Sequence, residues 1–284
     1  MHEGDFSAAA QEFQAAMGLA PEDAFTHSQL GMALHYGGRD DEAATELEKA
    51  VRLDPDDVPS SVLLAEITRN LGREQDGLAM LRELIQRLPN DALARLGLGM
   101  MLTSAGDFAG AQRELRQAIR HAPFLSDAHR ALGVALYQEG RVKPAIRALE
   151  TAVECDGDFD CHLLLAELLA SEGEHERAIG KFDIAVEMEP DHALAHFGLG
   201  ASLLYTGVFD EALEEILEAD RITPNDARIK NALMVAFAVM GQDARAQEAA
   251  QMCEALGGEP TEGVLEGLRA IMTGTDQADP PAPS

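Results

Sequence analysis

Glycine recurs along this chain at a nearly constant interval. Eight glycines are spaced by 34 residues, with a single interval of 33, and they are Gly4, Gly38, Gly72, Gly106, Gly140, Gly173, Gly207 and Gly241. Prolines share the register at Pro21, Pro55, Pro89, Pro123, Pro190 and Pro224. A fixed period of this length predicts an array of repeats in which each unit packs against its neighbours. Such an array accommodates all 284 residues without one large globular core.

Each period predicts two helices. A leucine recurs in the first helix at Leu30, Leu64, Leu98, Leu132, Leu165, Leu199 and Leu233. The residue after it is small in most units, as at Gly31 and Ala65, so two helix backbones can approach closely there. The periodic glycine is expected to end the first helix and the proline the second. An acidic residue after the proline, such as Asp23 or Asp57, is placed to cap the next helix.

Residues 4–258 resemble the tetratricopeptide-repeat (TPR) family in these features. Residues 24–57 carry the family pattern at Leu30, Gly31, Leu34, Gly38, Ala43, Leu47, Ala50 and Pro55. The tryptophan position of the family is polar here and in the other repeats. The resemblance implies an all-α fold, a right-handed superhelical solenoid of antiparallel helix pairs.

The periodicity also predicts the domain organisation. Residues 1–23 form a half repeat with only its second helix, and residues 24–258 form seven tandem repeats. Apolar residues at helical spacing predict a capping helix at 259–273, and residues 274–284 are expected to be disordered. Three explanations stay open for the missing first helix: a truncated start, a helix supplied by another copy or by a partner, or a tolerated open end.

The TPR resemblance implies that first helices line a concave groove. Family ligands contact mainly positions 2, 5, 9, 12 and 13 of the repeat, where Ala24 is position 1. We predict a partner-binding groove at Phe25, Met32, Tyr36, Arg69, Leu96, Met100, Arg130, Tyr137, Phe197 and Tyr205. Tyrosine and methionine suit such a surface. The alternative is that these side chains only pack between neighbouring helices. The Lys and Asn pair with which some TPR proteins clamp a terminal carboxylate is missing from positions 5 and 9.

The charge balance excludes two classes of partner. With 22 basic and 50 acidic residues the net charge is −28, which is unfavourable for nucleic acid and for anionic membranes. The partner is therefore expected to be a protein or peptide, basic or with apolar anchors, unless the acidity serves solubility alone. The chain contains no run of 18 apolar residues, so the sequence does not predict a membrane-spanning helix. Three cysteines and no secretory signal lead us to expect a cytoplasmic location.

Catalytic, cofactor and metal motifs find little support in the sequence, so we predict no catalytic residue, no cofactor and no metal. One repeat position is shared by three histidines, His129, His162 and His196. They could form a ladder that binds metal or senses pH, or they could be polar residues at repeat interfaces. His192 and His196 are four residues apart, a spacing that can hold a metal. Residues 155–162 could form a calcium loop or a Cys155–Cys161 disulfide, but we favour a plain capped turn.

The sequence therefore predicts a protein–protein interaction scaffold or adaptor that is not an enzyme. Two alternatives stay open. The array could be the recognition arm of a larger enzyme, such as a TPR-fused glycosyltransferase, or it could be a self-assembling TPR coat protein.

Overall fold

A computed structural model describes residues 3–17 and 23–259 of the chain, without the side chains of residues 3–5 and 16–17. Within these ranges the structure consists of α-helices joined by short turns and contains no strand. The predicted capping helix, apart from residue 259, and the predicted disordered tail lie outside the described residues. No helix in the described ranges is long and apolar enough to cross a bilayer.

The described helices form two compact units, unit 1 up to Asp156 and unit 2 from Gly157 onward. Those of unit 1 are α1 (Glu3–Met17), α2 (Ala24–Tyr36), α3 (Asp40–Leu53), α4 (Val58–Asn70), α5 (Glu74–Arg87), α6 (Ala92–Ser104), α7 (Phe108–His121), α8 (Ser126–Gln138) and α9 (Val142–Glu154). Those of unit 2 are α10 (Phe159–Ser171), α11 (His175–Met188), α12 (Ala193–Thr206), α13 (Phe209–Ile222), α14 (Ala227–Val239) and α15 (Asp243–Ala255).

Consecutive helices pack as pairs within each unit. From α2 onward, every even-numbered helix packs against the helix that follows it, and a tight turn joins the two. First helices of neighbouring pairs also touch. In unit 1, α6 contacts both α4 and α8, and in unit 2, α12 contacts both α10 and α14. The prediction of an all-α fold of antiparallel helix pairs is confirmed.

The repeated glycines and prolines mark the helix ends. Seven of the periodic glycines, from Gly38 to Gly241, adopt φ angles of +72° to +82°, a left-handed conformation that residues with a side chain rarely adopt. Second helices end two residues before the proline of the turn, as α3 does before Pro55 and α13 before Pro224. The sequence predictions for these turns are confirmed because both residue types act through the backbone of their own turn.

Side-chain caps begin most first helices as predicted. The carboxylates of Asp23, Asp57, Asp91 and Asp226 each accept a hydrogen bond from a backbone N–H in the first turn of the helix that follows. His192 takes this role in α12, where its Nδ1 accepts from the Ala195 N–H at 3.3 Å. These bonds satisfy N–H groups that have no partner within the helix.

The glycine prediction is wrong at Gly4. Here α1 begins at Glu3, so Gly4 lies inside a helix and not in a turn. α1 therefore begins before its periodic glycine, whereas the equivalent second helices begin after theirs.

The irregular segment around Gly157 forms a plain capped turn. Asp156 ends unit 1 with a φ of 70°, a left-handed conformation that Asp tolerates better than most residues. Asp158, near the start of unit 2, is the cap of α10, where its carboxylate accepts from the Cys161 N–H at 3.0 Å. Cys155 and Cys161 do not form a disulfide. The capped turn that we favoured from the sequence is the conformation observed.

Close helix contacts form at the small residues that follow the recurring leucines. A Cβ on Gly99 would lie 2.5 Å from Cγ of Leu115, and one on Gly200 would lie 2.5 Å from Cγ1 of Ile216 and 2.9 Å from the Ala212 carbonyl oxygen. Leu115 and Ile216 are fully buried core residues of second helices. The missing side chain therefore lets each second helix insert a large residue against the backbone of its partner.

Two glycine substitutions in unit 2 test this account. We expect Gly200→Ala to destabilise the protein by ~1–3 kcal/mol, because the new Cβ meets backbone atoms that move only with the whole helix. Gly180→Ala in α11 is the control, since a Cβ there meets open space, and it should stabilise by ~0.5–1 kcal/mol. Thermal unfolding followed by circular dichroism measures both. Equal stabilisation by the two substitutions would contradict the close contact.

Candidate functional site

The predicted groove residues differ in exposure. Five are exposed, and they are Phe25, Tyr36, Met100, Tyr137 and Tyr205. Four are half-buried, and they are Met32, Arg69, Arg130 and Phe197. Leu96 differs from the other nine, since it is 7% exposed and packs into the core of unit 1.

In unit 1, first helices α4, α6 and α8 form a continuous apolar surface. It contains two adjoining depressions, of about 60 and 170 Å³, which share Met100 and Ser104. Arg69 lines the first depression and Arg130 the second. The structure thus brings three of the predicted residues, on three different helices, onto one surface.

The charges on this surface of unit 1 are largely paired. The Arg69 guanidinium lies 3.9 Å from the Glu66 carboxylate, and the Arg130 guanidinium donates to the Asp127 carboxylate at 2.9 Å. Both pairs connect residues three apart on one helix, so they contribute little to stability. The apolar surface is therefore bordered by ion pairs whose opposite charges largely cancel.

Helix α2 carries a second group of predicted residues in unit 1. Phe25 is 67% and Tyr36 60% exposed, although Tyr36 also stacks on Phe6 of α1 with the ring centroids 5.4 Å apart. Aromatic rings combine a large contact area with few rotatable bonds, which favours their use in binding. This end of unit 1 therefore offers exposed aromatic surface.

In unit 2, a cavity of about 300 Å³ opens among the first helices α10, α12 and α14 and the second helix α11. Phe197 and Tyr205, two of the predicted groove residues, line it. Arg228 and Glu167 also line it, at positions 2 and 9 of their repeats, together with His175 and Phe182 of α11. His175 and Phe182 were not predicted from the sequence, because the repeat positions used to predict the groove all lie on first helices. Phe182 reaches the cavity because α12 has no side chain at Gly198, where a Cβ would lie 2.3 Å from the Phe182 ring.

The polar groups of the unit 2 cavity have distinct environments. Arg228 donates from Nε and Nη2 to both carboxylate oxygens of Asp226, and its guanidinium lies 5.9 Å from the Phe197 ring centroid. The His175 ring stacks on the Tyr205 ring at 4.3 Å, and burial lowers the pKa of His175. Glu167 is open to solvent from the cavity, yet the surrounding protein desolvates its carboxylate and raises its pKa.

A buried cationic or histidine side chain occupies the tryptophan position of several repeats. Nδ1 of His27 and of His196 each lie 2.6 Å from the glutamate 19 residues further on, Glu46 and Glu215. Arg95 pairs with Glu114 in the same way at 2.5 Å. These contacts join the first and second helices of one pair.

The same position also connects to the preceding turn. Nε2 of His129 and of His196 lie 2.9 and 2.8 Å from the carbonyl oxygens of Pro123 and Pro190. Both ring nitrogens of His196 therefore have protein partners. The described residues contain no group of three His, Cys, Asp or Glu side chains that could hold a metal ion. These contacts support the interpretation that the shared histidines are polar structural residues.

His162 lacks the usual glutamate. Lys181 occupies the place that Glu46 and Glu215 hold in their repeats, and the buried Nδ1 of His162 has no hydrogen-bond partner among residues 3–17 and 23–259. Burial lowers the pKa of His162, and the charge of Lys181 lowers it further, against a smaller opposite effect of Asp158. Both effects disfavour the positively charged form of this histidine.

Comparisons with known proteins extend these observations. Three family models, each described as a tetratricopeptide repeat, match residues 24–57, residues 102–168, and residues 63–111 with 163–227. No curated protein sequence matches the chain.

Several solved structures have a similar fold. They include a chain of the APC/C hetero-tetramer Cut9–Hcn1 (TM-score 0.66, 16% identity), PilF of Pseudomonas aeruginosa (0.62, 19%) and yeast Tom70 (0.60, 18%). The matches cover 83%, 73% and 95% of this chain. They span 46% of the Cut9–Hcn1 chain, 95% of PilF and 58% of Tom70, and at these identities they show similarity of fold alone.

The environment of His162 predicts a pH-dependent loss of stability. Its pKa is lowered in the folded state, so the unfolded chain binds more protons below pH ~6.5, and stability falls as the pH falls through that value. Lys181→Glu should reduce this loss by supplying the glutamate found in other repeats. We expect it to raise stability by ~1 kcal/mol near pH 5.5 relative to the wild type.

Thermal unfolding between pH 7.5 and 5.5 tests this expectation. Lys181→Gln is the matched control, because it removes the positive charge without adding a carboxylate. Its stability near pH 5.5 should lie between those of the wild type and of Lys181→Glu. Parallel curves for the wild type and Lys181→Glu across this pH range would contradict it.

Proposed function

Because the chain belongs to the tetratricopeptide-repeat family, we propose that it is a non-enzymatic scaffold that holds a peptide or partner subunit on the faces of its first helices. The observation that carries this proposal is the exposure of aromatic and methionine side chains on these helices. Five of them, from Phe25 to Tyr205, keep 45–67% of their surface accessible. Such side chains are enriched where proteins bind one another.

The two units support different contacts. Met100 and the depressions beside it give unit 1 an open surface, which suits an extended or helical segment that presents apolar side chains. Tyr137 adds a further exposed side chain on α8. Unit 2 has a deeper cavity, bounded by Phe197 and Tyr205, which suits a single inserted side chain. The role as recognition arm of a larger enzyme would use these same faces, so it differs from a free-standing adaptor only in what is attached to the array.

Alanine substitutions of exposed tyrosines test this binding mode. Peptides are first selected on the wild type from a randomised twelve-residue phage library. We expect the double variant Tyr137→Ala/Tyr205→Ala to bind them about 30-fold more weakly, which corresponds to the ~2 kcal/mol typical of a binding hot spot. The single variants show which unit each peptide uses.

The matched control is the double variant Leu53→Ala/Leu217→Ala, which removes exposed apolar side chains from second helices of the two units. It should bind as the wild type does, and both double variants should keep their helicity. Equal binding by all three proteins would place the binding surface elsewhere.

The net charge of −28 predicts a salt dependence for basic peptides. Their association rate constants should fall steeply between ~10 mM and ~150 mM salt, because the screening length shortens from ~30 to ~8 Å. Surface plasmon resonance measures the rates, with neutral peptides as the control. A flat dependence for both classes would mean that the acidity contributes to solubility alone.

A further inference from the structure

We propose that the cavity of unit 2 is a pocket for one lysine or arginine side chain of the bound partner. This inference rests on the proposed function and specifies the chemistry that the cavity recognises. It depends on three properties of the cavity: its aromatic walls, the unpaired carboxylate of Glu167, and the neutralisation of the other charges around it.

The walls suit the aliphatic part of a long basic side chain. Phe182, Phe197 and Tyr205 all line the cavity, whose volume of about 300 Å³ is at the small end of the range for ligand sites. Lysine and arginine side chains commonly bury their methylene groups against such apolar surface while the charged end reaches a polar group. Aromatic rings also attract a cation to their faces. The Arg228 guanidinium next to Phe197 shows that this ring accepts a cation on one side.

Glu167 supplies the negative charge. Among the described residues it makes no hydrogen bond and no ion pair, although it lines the cavity and the protein around it partly desolvates the carboxylate. A desolvated carboxylate without a partner is unfavourable, and a cation that enters the cavity relieves this cost. A neutral apolar side chain would bury Glu167 further without compensation, and an acidic one would be repelled.

The positive groups near Glu167 do not cancel its charge completely. Arg228 is already held by both carboxylate oxygens of Asp226, so this pair adds no net charge. His175 is stacked on Tyr205, and burial lowers its pKa, which disfavours a positive charge on this ring. Nδ1 of His192 accepts a hydrogen bond from the Ala195 N–H as the cap of α12. The cavity therefore favours a cation, as does the chain as a whole, with its net charge of −28.

A double-mutant cycle between the protein and peptide probes tests the proposal. Twelve-residue peptides are selected from a randomised library, and those weakened by Tyr205→Ala are resynthesised with each lysine replaced by norleucine and each arginine by citrulline. We expect one such replacement to weaken binding to the wild type at least tenfold. On Glu167→Gln the same replacement should change binding less than threefold.

Glu66→Gln is the matched control. Glu66 occupies the same repeat position in unit 1 as Glu167 does in unit 2, but it faces Arg69 at 3.9 Å. This variant should respond to the peptide replacements as the wild type does. Unfolding midpoints of all three proteins confirm that they are folded.

The outcomes separate this inference from the proposed function. If the Tyr205-dependent peptides contain no basic residue, or if the replacement costs the same on the wild type and on Glu167→Gln, the basic pocket is wrong and the scaffold stands. If every selected peptide is weakened by Tyr137→Ala and none by Tyr205→Ala, the proposal of a basic pocket is contradicted as well. A library that yields no peptide dependent on Tyr137 or Tyr205 contradicts both proposals.

Discussion

The close contact between the two helices of each pair is the constraint on which the rest of the structure depends. At Gly200 the backbone of a first helix meets Ile216 and the Ala212 carbonyl of its partner at distances that leave no room for a side chain. Gly99 meets Leu115 in the same way. Because the second helix can come this close, its large apolar residue is buried without a cavity. The pair then presents the remaining faces of its first helix to the neighbouring pair and to solvent.

The polar residue at the family's tryptophan position is the second determinant of the packing. A buried cation or histidine is unfavourable unless it is paired, and here the partners come from two directions. Glu114 and Glu215 approach from the second helix, and the Pro89 and Pro190 carbonyl oxygens approach from the turn before the first helix. The hydrogen bonds thus replace part of the apolar contact that a tryptophan would provide. His162 departs from the pattern because Lys181 occupies the glutamate position.

The candidate binding faces follow from this packing. Second helices such as α5 and α11 pack against their own first helix and against the next pair. First helices still have side chains that remain exposed, such as Met100 and Tyr137. In unit 1, Arg69 and Arg130 pair with acidic residues of their own helices beside two small depressions. In unit 2, Phe182 of α11 packs over Gly198 and lines a larger cavity. The two units therefore present surfaces of different size and charge.

Features that depend on local backbone chemistry could be predicted from the sequence alone. The period of glycine and proline, the capping residues and the small residues after each leucine predicted the helix pairs, their turns and their close contacts. These predictions held because each rests on residues close together along the chain or on a fixed repeat spacing. The exception was Gly4, which lies inside α1.

How side chains from different helices combine depends on the packing of the helices. The structure places Leu96 in the core and His175 of a second helix against Tyr205, and within the described part of the chain it leaves Glu167 without a partner in the unit 2 cavity. A repeat position specifies which face of a helix a residue occupies, but its burial depends on the volume and charge of residues in the next pair. The exposure and the electrostatic environment of each candidate binding residue are for that reason properties of the packed helices and not of the repeat pattern.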